Sequence, residues 1–302
     1  MGFFLGLIII ICILTIIFVP KIRIPRKEEL DELNKIIKEK NIDKNFLPKN
    51  FDLKLEFIKD FPQEYKDILK ESFHLYNLLP KDIRQQLHGH INVFLNLKDF
   101  HGHKGLEVTT EMKVTIAAQA CMLLLNRQSN YFPRLQTIEM YPQAFSSEVA
   151  TGNGTLKQQV RTGESWSNGR VILSWSHSKQ GISNFKDGSN VVMHEFAHRL
   201  DQLDNNTDGI PTKHFGNGET YYLRSEVILK EYQKHLKRLK KSHKKNNKTL
   251  LTEYAGTNEA EFFAVATEFF FEKGRQLKKS EPKLYDLLKD FYKLDTSSWN
   301  FR

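Results

Sequence analysis

Cysteine is nearly absent: there are two in 302 residues. Cys12 lies in an apolar run and Cys121 in AQACMLLL, which reads as a buried helix. They do not make a disulfide framework, and a structural zinc site of the four-cysteine kind is excluded. Acidic residues are outnumbered, 36 against 45 Lys and Arg, for a net charge of +9. No RNA-recognition pattern and no zinc-finger spacing accompanies that charge, so no nucleic-acid partner is expected. Internal repeats and long low-complexity tracts are also missing. With 40% hydrophobic and 12% aromatic residues the chain can fill a sizeable core.

Charge is wholly missing from Gly2 to Val19, GFFLGLIIIICILTIIFV. A run of that length is near the lower limit for crossing hydrocarbon. No basic residue precedes it, no small-x-small cleavage site ends it, and Ile11 before Cys12 does not suit a lipoprotein signal. Residues 1–20 are therefore expected to be a transmembrane anchor, with membrane contact through residues 2–19. Lys21, Arg23, Arg26 and Lys27 follow it, which predicts a single-pass protein with its catalytic domain in the cytoplasm, at a bacterial inner membrane.

Residues 21–60 are expected to be a basic juxtamembrane and polar helical spacer, and residues 61–302 the main domain. Helical patterns run over 63–79, from 81, and from the cap Thr109-Thr110-Glu111 into VTIAAQACMLLLN. Between 130 and 176, LQTIEMYPQAF and GRVILSWSHS alternate as strands do. After 189 the pattern is helical again. The expected fold class is α+β, mostly helical with a small sheet. Arg170–Ser176 is expected to be an edge strand able to bind an extended peptide. The lysine-rich stretch 234–248 reads as a solvated helix end, with attraction to anionic lipid as the second reading.

The chemistry is concentrated in VVMHEFAHRLD, residues 191–201. His194 and His198 stand four apart, one turn of a helix, so both imidazoles can face one metal ion. Glu195 is free to act as general base on water. A catalytic zinc takes a third protein ligand, here sought among Asp201, Asp204, His214, Glu259, Glu261 and Glu268. Asp201 shares the face of His198, and orienting a ligand imidazole is its preferred role. Glu261 lies among Phe262, Phe263, Ala264 and Val265, where a carboxylate needs a partner, and a zinc ion is one such partner. The pairs His88/His90 and His101/His103 are weighed as a second metal site against polar loop residues, and the latter reading is preferred.

HEFAHRLD, the preceding GESWSNGRVILSW and the later YAGTNEAEFFA resemble the MtfA-type zinc peptidases of bacteria. HEFAH and Y-x-x-TNEAEFFA are also similar to the catalytic domain of anthrax lethal factor. FPQEYKDIL, VTIAAQACMLLLN and YDLLKDFYKLD extend the resemblance over roughly residues 60–296. It implies a zincin-like metallopeptidase domain with His194, His198 and Glu261 as zinc ligands, Glu195 as general base and Tyr254 as the hydroxyl that stabilises the oxyanion. The expected activity is hydrolysis of peptide bonds in a peptide or protein substrate. The resemblance also implies a second possibility, capture of a cytoplasmic regulator such as a transcriptional repressor.

Overall fold

The computed structural model describes residues 25–299 apart from 128, 151–155, 167–168, 205–207, 215–219, 223–224 and 246–248. Helices α1 (Lys27–Glu39), α2 (Phe51–Ile58), α3 (Gln63–Ser72), α4 (His74–Leu78) and α5 (Lys81–Leu97) lead into strand β1 (Asp99–Gly102) and helix α6 (Thr110–Met122). Strands β2 (Thr137–Tyr141), β3 (Phe145–Ala150), β4 (Leu156–Arg161), β5 (Gly163–Trp166) and β6 (Arg170–Ser174) come next, followed by α7 (Trp175–Ser183) and α8 (Val191–Asp201). A short antiparallel pair, β7 (Thr212–His214) and β8 (Thr220–Tyr222), separates these from α9 (Ser225–Lys245), α10 (Glu259–Glu272), α11 (Gly274–Ser280) and α12 (Pro282–Tyr292). The architecture is α+β, mostly helical with a small sheet.

The sheet has four strands in the order β1-β2-β6-β5. β1, β2 and β6 run parallel, and β5 pairs with β6 antiparallel at the edge. β3 and β4 form a separate antiparallel ribbon. Two sequence expectations need correction here. Arg170–Ser174 is an inner strand, hydrogen-bonded on both sides, and the edge strand beside the site is Gly163–Trp166. From Trp175 the chain is helical, not extended. Alternation of apolar and polar residues marks a strand but carries no information about its place in a sheet.

Helix α6 is apolar on nearly every face, and its residues from Val114 to Met122 are all buried. A helix of that kind belongs inside a core. It starts where Thr109 accepts a hydrogen bond from the Met112 N–H at 3.3 Å, and it packs between α5 and α8. Phe196 of α8 meets Phe94 of α5 at 5.7 Å between ring centroids and Phe132 at 4.9 Å. These aromatic contacts fix the helix that carries HEFAH against the centre of the molecule. Leu33, Ile37, Leu47 and Phe57, all ahead of residue 61, are buried in the same core cluster.

The expectation of a single-pass membrane protein is corrected. Among the described residues no helix is long and apolar enough to cross a membrane. The expected anchor, residues 2–19, lies outside the described residues. On α9, Lys237, Lys240 and Lys241 are exposed, while Lys234 and Arg238 pair with Glu281 of the chain's own C-terminal region.

Candidate active site

Helix α8 begins at a defined cap. Asn190 accepts the Met193 N–H at 3.0 Å, and Gly188, at φ +78°, turns the chain into it. A β-carbon at Gly188 would lie 2.8 Å from the Phe269 ring, so glycine meets both a conformational and a packing demand there. Asn258 caps α10 in the same way, accepting the Glu261 N–H at 2.9 Å. The two caps place Glu261 in the first turn of α10, opposite the middle of α8.

Three side-chain atoms converge. His194 Nε2 is 2.9 Å from Glu261 Oε2, His198 Nε2 is 3.1 Å from His194 Nε2, and His198 Nε2 is 3.4 Å from Glu261 Oε2. Among the described residues this is the group of His, Cys, Asp and Glu arranged to hold a metal ion. The other sequence candidates stand elsewhere. Asp201 is buried and accepts the Gly209 N–H at 2.9 Å. His198 Nδ1 has no hydrogen-bond partner among the described residues, so the expected orienting bond from Asp201 is not made. Asp204 lies on a 3-10 turn after α8, His214 on β7, and Glu259 on the wall of the cleft. The His-Gly-His pairs do not form a second cluster. His88 Nε2 is 2.8 Å from the Tyr76 hydroxyl, His90 Nδ1 is 2.8 Å from that of Tyr131, and His103 pairs with Glu139.

Glu268, weighed from sequence as a ligand, has a different place. Its Oε1 accepts from His194 Nδ1 at 2.7 Å, and its Oε2 accepts the Asn190 N–H. That bond puts the proton on Nδ1 and leaves the Nε2 lone pair of His194 facing Glu261 and His198. One turn further on, Glu272 accepts from the Gly188 N–H at 3.1 Å and from Asn190 Nδ2 at 3.1 Å. Sequence reasoning did not single out Glu272. The available signal was its spacing: Glu261, Glu268 and Glu272 stand at i, i+7 and i+11 among phenylalanines and alanines, which puts all three on one face.

The electrostatics follow from burial and proximity. Burial pushes the Glu195 carboxyl up, and the charges of His194 and His198 only partly offset it. Burial also opposes ionisation of Glu261, but its closeness to the His194 and His198 imidazoles outweighs it and holds that carboxyl well below the usual range. Burial would neutralise His194, yet Glu268 and Glu261 keep its basicity high. Tyr254 is 49% exposed on the turn before α10, with its ring 5.7 Å from that of His194. Desolvation, then the Glu261 carboxylate beside it, raises its hydroxyl.

These residues line a cleft of 690 Å³ whose opposite wall is the chain from Gln159 to Ser165. Gly163 touches the site directly, because a β-carbon there would come within 2.6 Å of Glu195 Oε1. The cleft thus holds a cluster of metal-binding donor atoms, a buried carboxylate beside it and, among the described residues, an edge of β5 that pairs with no other strand. That set of groups suits metal-assisted attack of water on a substrate lying along β5.

Known proteins share this arrangement's sequence. The chain is similar to an uncharacterized protein of Synechocystis, 37% identical over 244 residues that cover 79% of this chain and 86% of the relative. It is 25% identical over 209 residues to Mlc titration factor A of Salmonella arizonae, covering 68% and 80%. With Mlc titration factor A of Klebsiella pneumoniae it shares 26% over 207 residues, covering 67% and 76%. Residues 54–293, which include the whole donor cluster, match the glucose-regulated metallo-peptidase M90 family, and the chain belongs to that family.

Proposed function

We propose that this protein is a zinc-dependent peptidase in which His194, His198 and Glu261 hold the metal. The observation that carries the reading is the convergence of His194 Nε2, His198 Nε2 and Glu261 Oε2 within 2.9–3.4 Å of one another. Tetrahedral zinc with nitrogen and oxygen ligands at about 2.0–2.2 Å separates its ligand atoms by about 3.3–3.6 Å. The three donors are slightly closer than that, so shifts of a few tenths of an ångström accommodate the ion. Two neutral imidazoles and one carboxylate also suit zinc, and the hydrogen bond to Glu268 already orients one imidazole.

A bound zinc ion would polarise a peptide carbonyl and lower the pKa of a water towards ~7. The chain's own residues supply the rest. Glu195, buried and lining the cleft beside the donor cluster, takes a proton from the attacking water and returns it to the leaving amine. Tyr254 keeps its proton and donates it as a hydrogen bond to the developing oxyanion. The substrate lies extended along the free edge of β5, where backbone pairing supplies affinity without demanding a particular sequence.

The test is cleavage of a peptide library by the full chain with and without a chelator, repeated with Glu195→Gln. Chelator-sensitive cleavage that Glu195→Gln abolishes supports the reading, and undiminished cleavage by that variant refutes it. A second reading is capture of a regulatory protein, with hydrolysis secondary. The name titration factor, borne by the Salmonella and Klebsiella relatives, favours it. In that case the Glu195→Gln variant still binds the regulator as the wild type does.

A further inference from the structure

Among the described residues that line the cleft, Arg161 is the one lysine or arginine, against the carboxylates of Glu164, Glu195, Glu259, Glu261 and Glu268. It ends β4, two positions before Gly163, whose backbone lies against Glu195. It lines the same cleft as Glu195 and Tyr254, close enough for its charge to act on both. The side chain is 26% exposed and so partly withdrawn from solvent.

Its donors are not used up. Among the described residues Arg161 Nη2 donates one hydrogen bond, to Gln159 Oε1 at 3.2 Å, and Nε stands 3.4 Å from Glu164 Oε1. Nε is buried without a hydrogen-bond partner. A guanidinium offers five N–H donors in a planar fork that fits a carboxylate. The Glu164 carboxylate 3.4 Å from Nε forms an ion pair with the guanidinium, and Nη1 and Nη2 keep donors in hand for a second carboxylate.

Direction along the strand says which part of a substrate meets it. A peptide added antiparallel to the free edge of β5 runs its C-terminal side back past Gly163 towards Arg161. Two strand residues span about 7 Å. With the scissile bond beside Glu195, Arg161 therefore stands opposite the first or second residue after that bond.

We propose that Arg161 is a specificity-determining residue, selecting peptides that carry a carboxylate just after the scissile bond. The carboxylate belongs either to an acidic side chain or to the terminus of the peptide itself. The inference rests on the peptidase reading. Along a wall that also carries Glu164, an anionic group just after the scissile bond is best received at Arg161, so this guanidinium sets both position and selectivity on that side.

The test uses the full-length, zinc-loaded chain and matched peptides. One pair differs by Glu against Gln after the cleavage site; another differs by a free against an amidated C-terminus. The wild type should prefer the carboxylate member of one pair by about tenfold in kcat/KM, expressed mainly in KM. Preference within the first pair identifies a side chain as the source, and within the second the terminus. Arg161→Gln should collapse the ratio, and Arg161→Lys should retain part of it. A ratio taken on one enzyme preparation does not move through a general loss of folding. Should Arg161→Gln not fold, the wild-type ratios and Arg161→Lys still decide. Cleavage with no carboxylate preference, or a preference that survives Arg161→Gln, overturns this inference alone. No cleavage of any peptide overturns the peptidase reading and this inference with it.

Discussion

Glu268 Oε1 accepts a hydrogen bond from His194 Nδ1 at 2.7 Å, so a residue on α10 sets the tautomer of an imidazole on α8. The same carboxylate accepts the Asn190 N–H, which ties the helix cap to the site. Replacing it by alanine removes both restraints. Glu268→Ala should lower metal affinity about 10–100-fold while leaving three donor atoms in place. Competition with a chromogenic chelator measures this, and Glu268→Gln should recover part of the loss.

Gly163 has no room for a side chain. A β-carbon would meet Glu195 Oε1, and a methyl of Val191, at 2.6 Å. Gly163→Ala must therefore displace the carboxylate or the strand. Overpacking of this kind costs about 1–3 kcal/mol. Hydrolysis should fall on the order of 100-fold, since a displacement of about 1 Å at a reacting group has that effect. Metal content should be unchanged, because Gly163 touches no donor. Activity assays paired with metal analysis separate the two outcomes.

Asp201 tests the rival choice of third ligand. It accepts the Gly209 N–H at 2.9 Å and is fully buried. Asp201→Ala leaves that N–H without its partner, at a cost of about 1–3 kcal/mol. Denaturant midpoints should drop while metal stoichiometry holds. A loss of metal with unchanged stability would reverse the assignment.

His90 gives a pH dependence whose sign can be worked out. Burial holds its folded pKa down to about 3, against 6.5 in an unfolded chain. Between those values the unfolded state binds the proton first, so the stability from keeping His90 neutral is intact above pH 6.5 and is lost as pH falls. At pH 5 the loss is about 2 kcal/mol. His88, lowered by burial to about 4, acts in the same direction. Glu272 acts oppositely: burial raises it to about 8, so its contribution shrinks as pH climbs from 4.5 towards 8. The wild-type profile alone therefore mixes opposing slopes. The difference between wild type and His90→Gln isolates one of them, and that difference should narrow from pH 7.5 to pH 5 in urea titrations.

Much of this site is legible in the sequence because it is written in local rules. The i, i+4 histidines, the Asn190 and Asn258 caps and an acidic residue in an apolar helix each have a spacing or a neighbour that declares them. The strand that flanks the site is not legible in that way. Gly163–Trp166 is short and mixed in polarity, and it becomes an edge strand only through pairing with β6. The β-branched run Arg170–Ser174 looks more strand-like because it is interior and must bury its apolar side chains. Orientation of Glu268 towards Nδ1 rather than Nε2 of His194 likewise depends on how two helices cross, which no single helix records.

The central claim is that one cation is shared by two imidazoles of α8 and one carboxylate of α10. Calorimetric zinc titration of the metal-stripped full chain, beside Glu261→Ala and Glu195→Gln, tests it most directly. One equivalent should bind to the wild type and to Glu195→Gln, and Glu261→Ala should bind far more weakly. Equal affinity of Glu261→Ala and wild type would contradict the account.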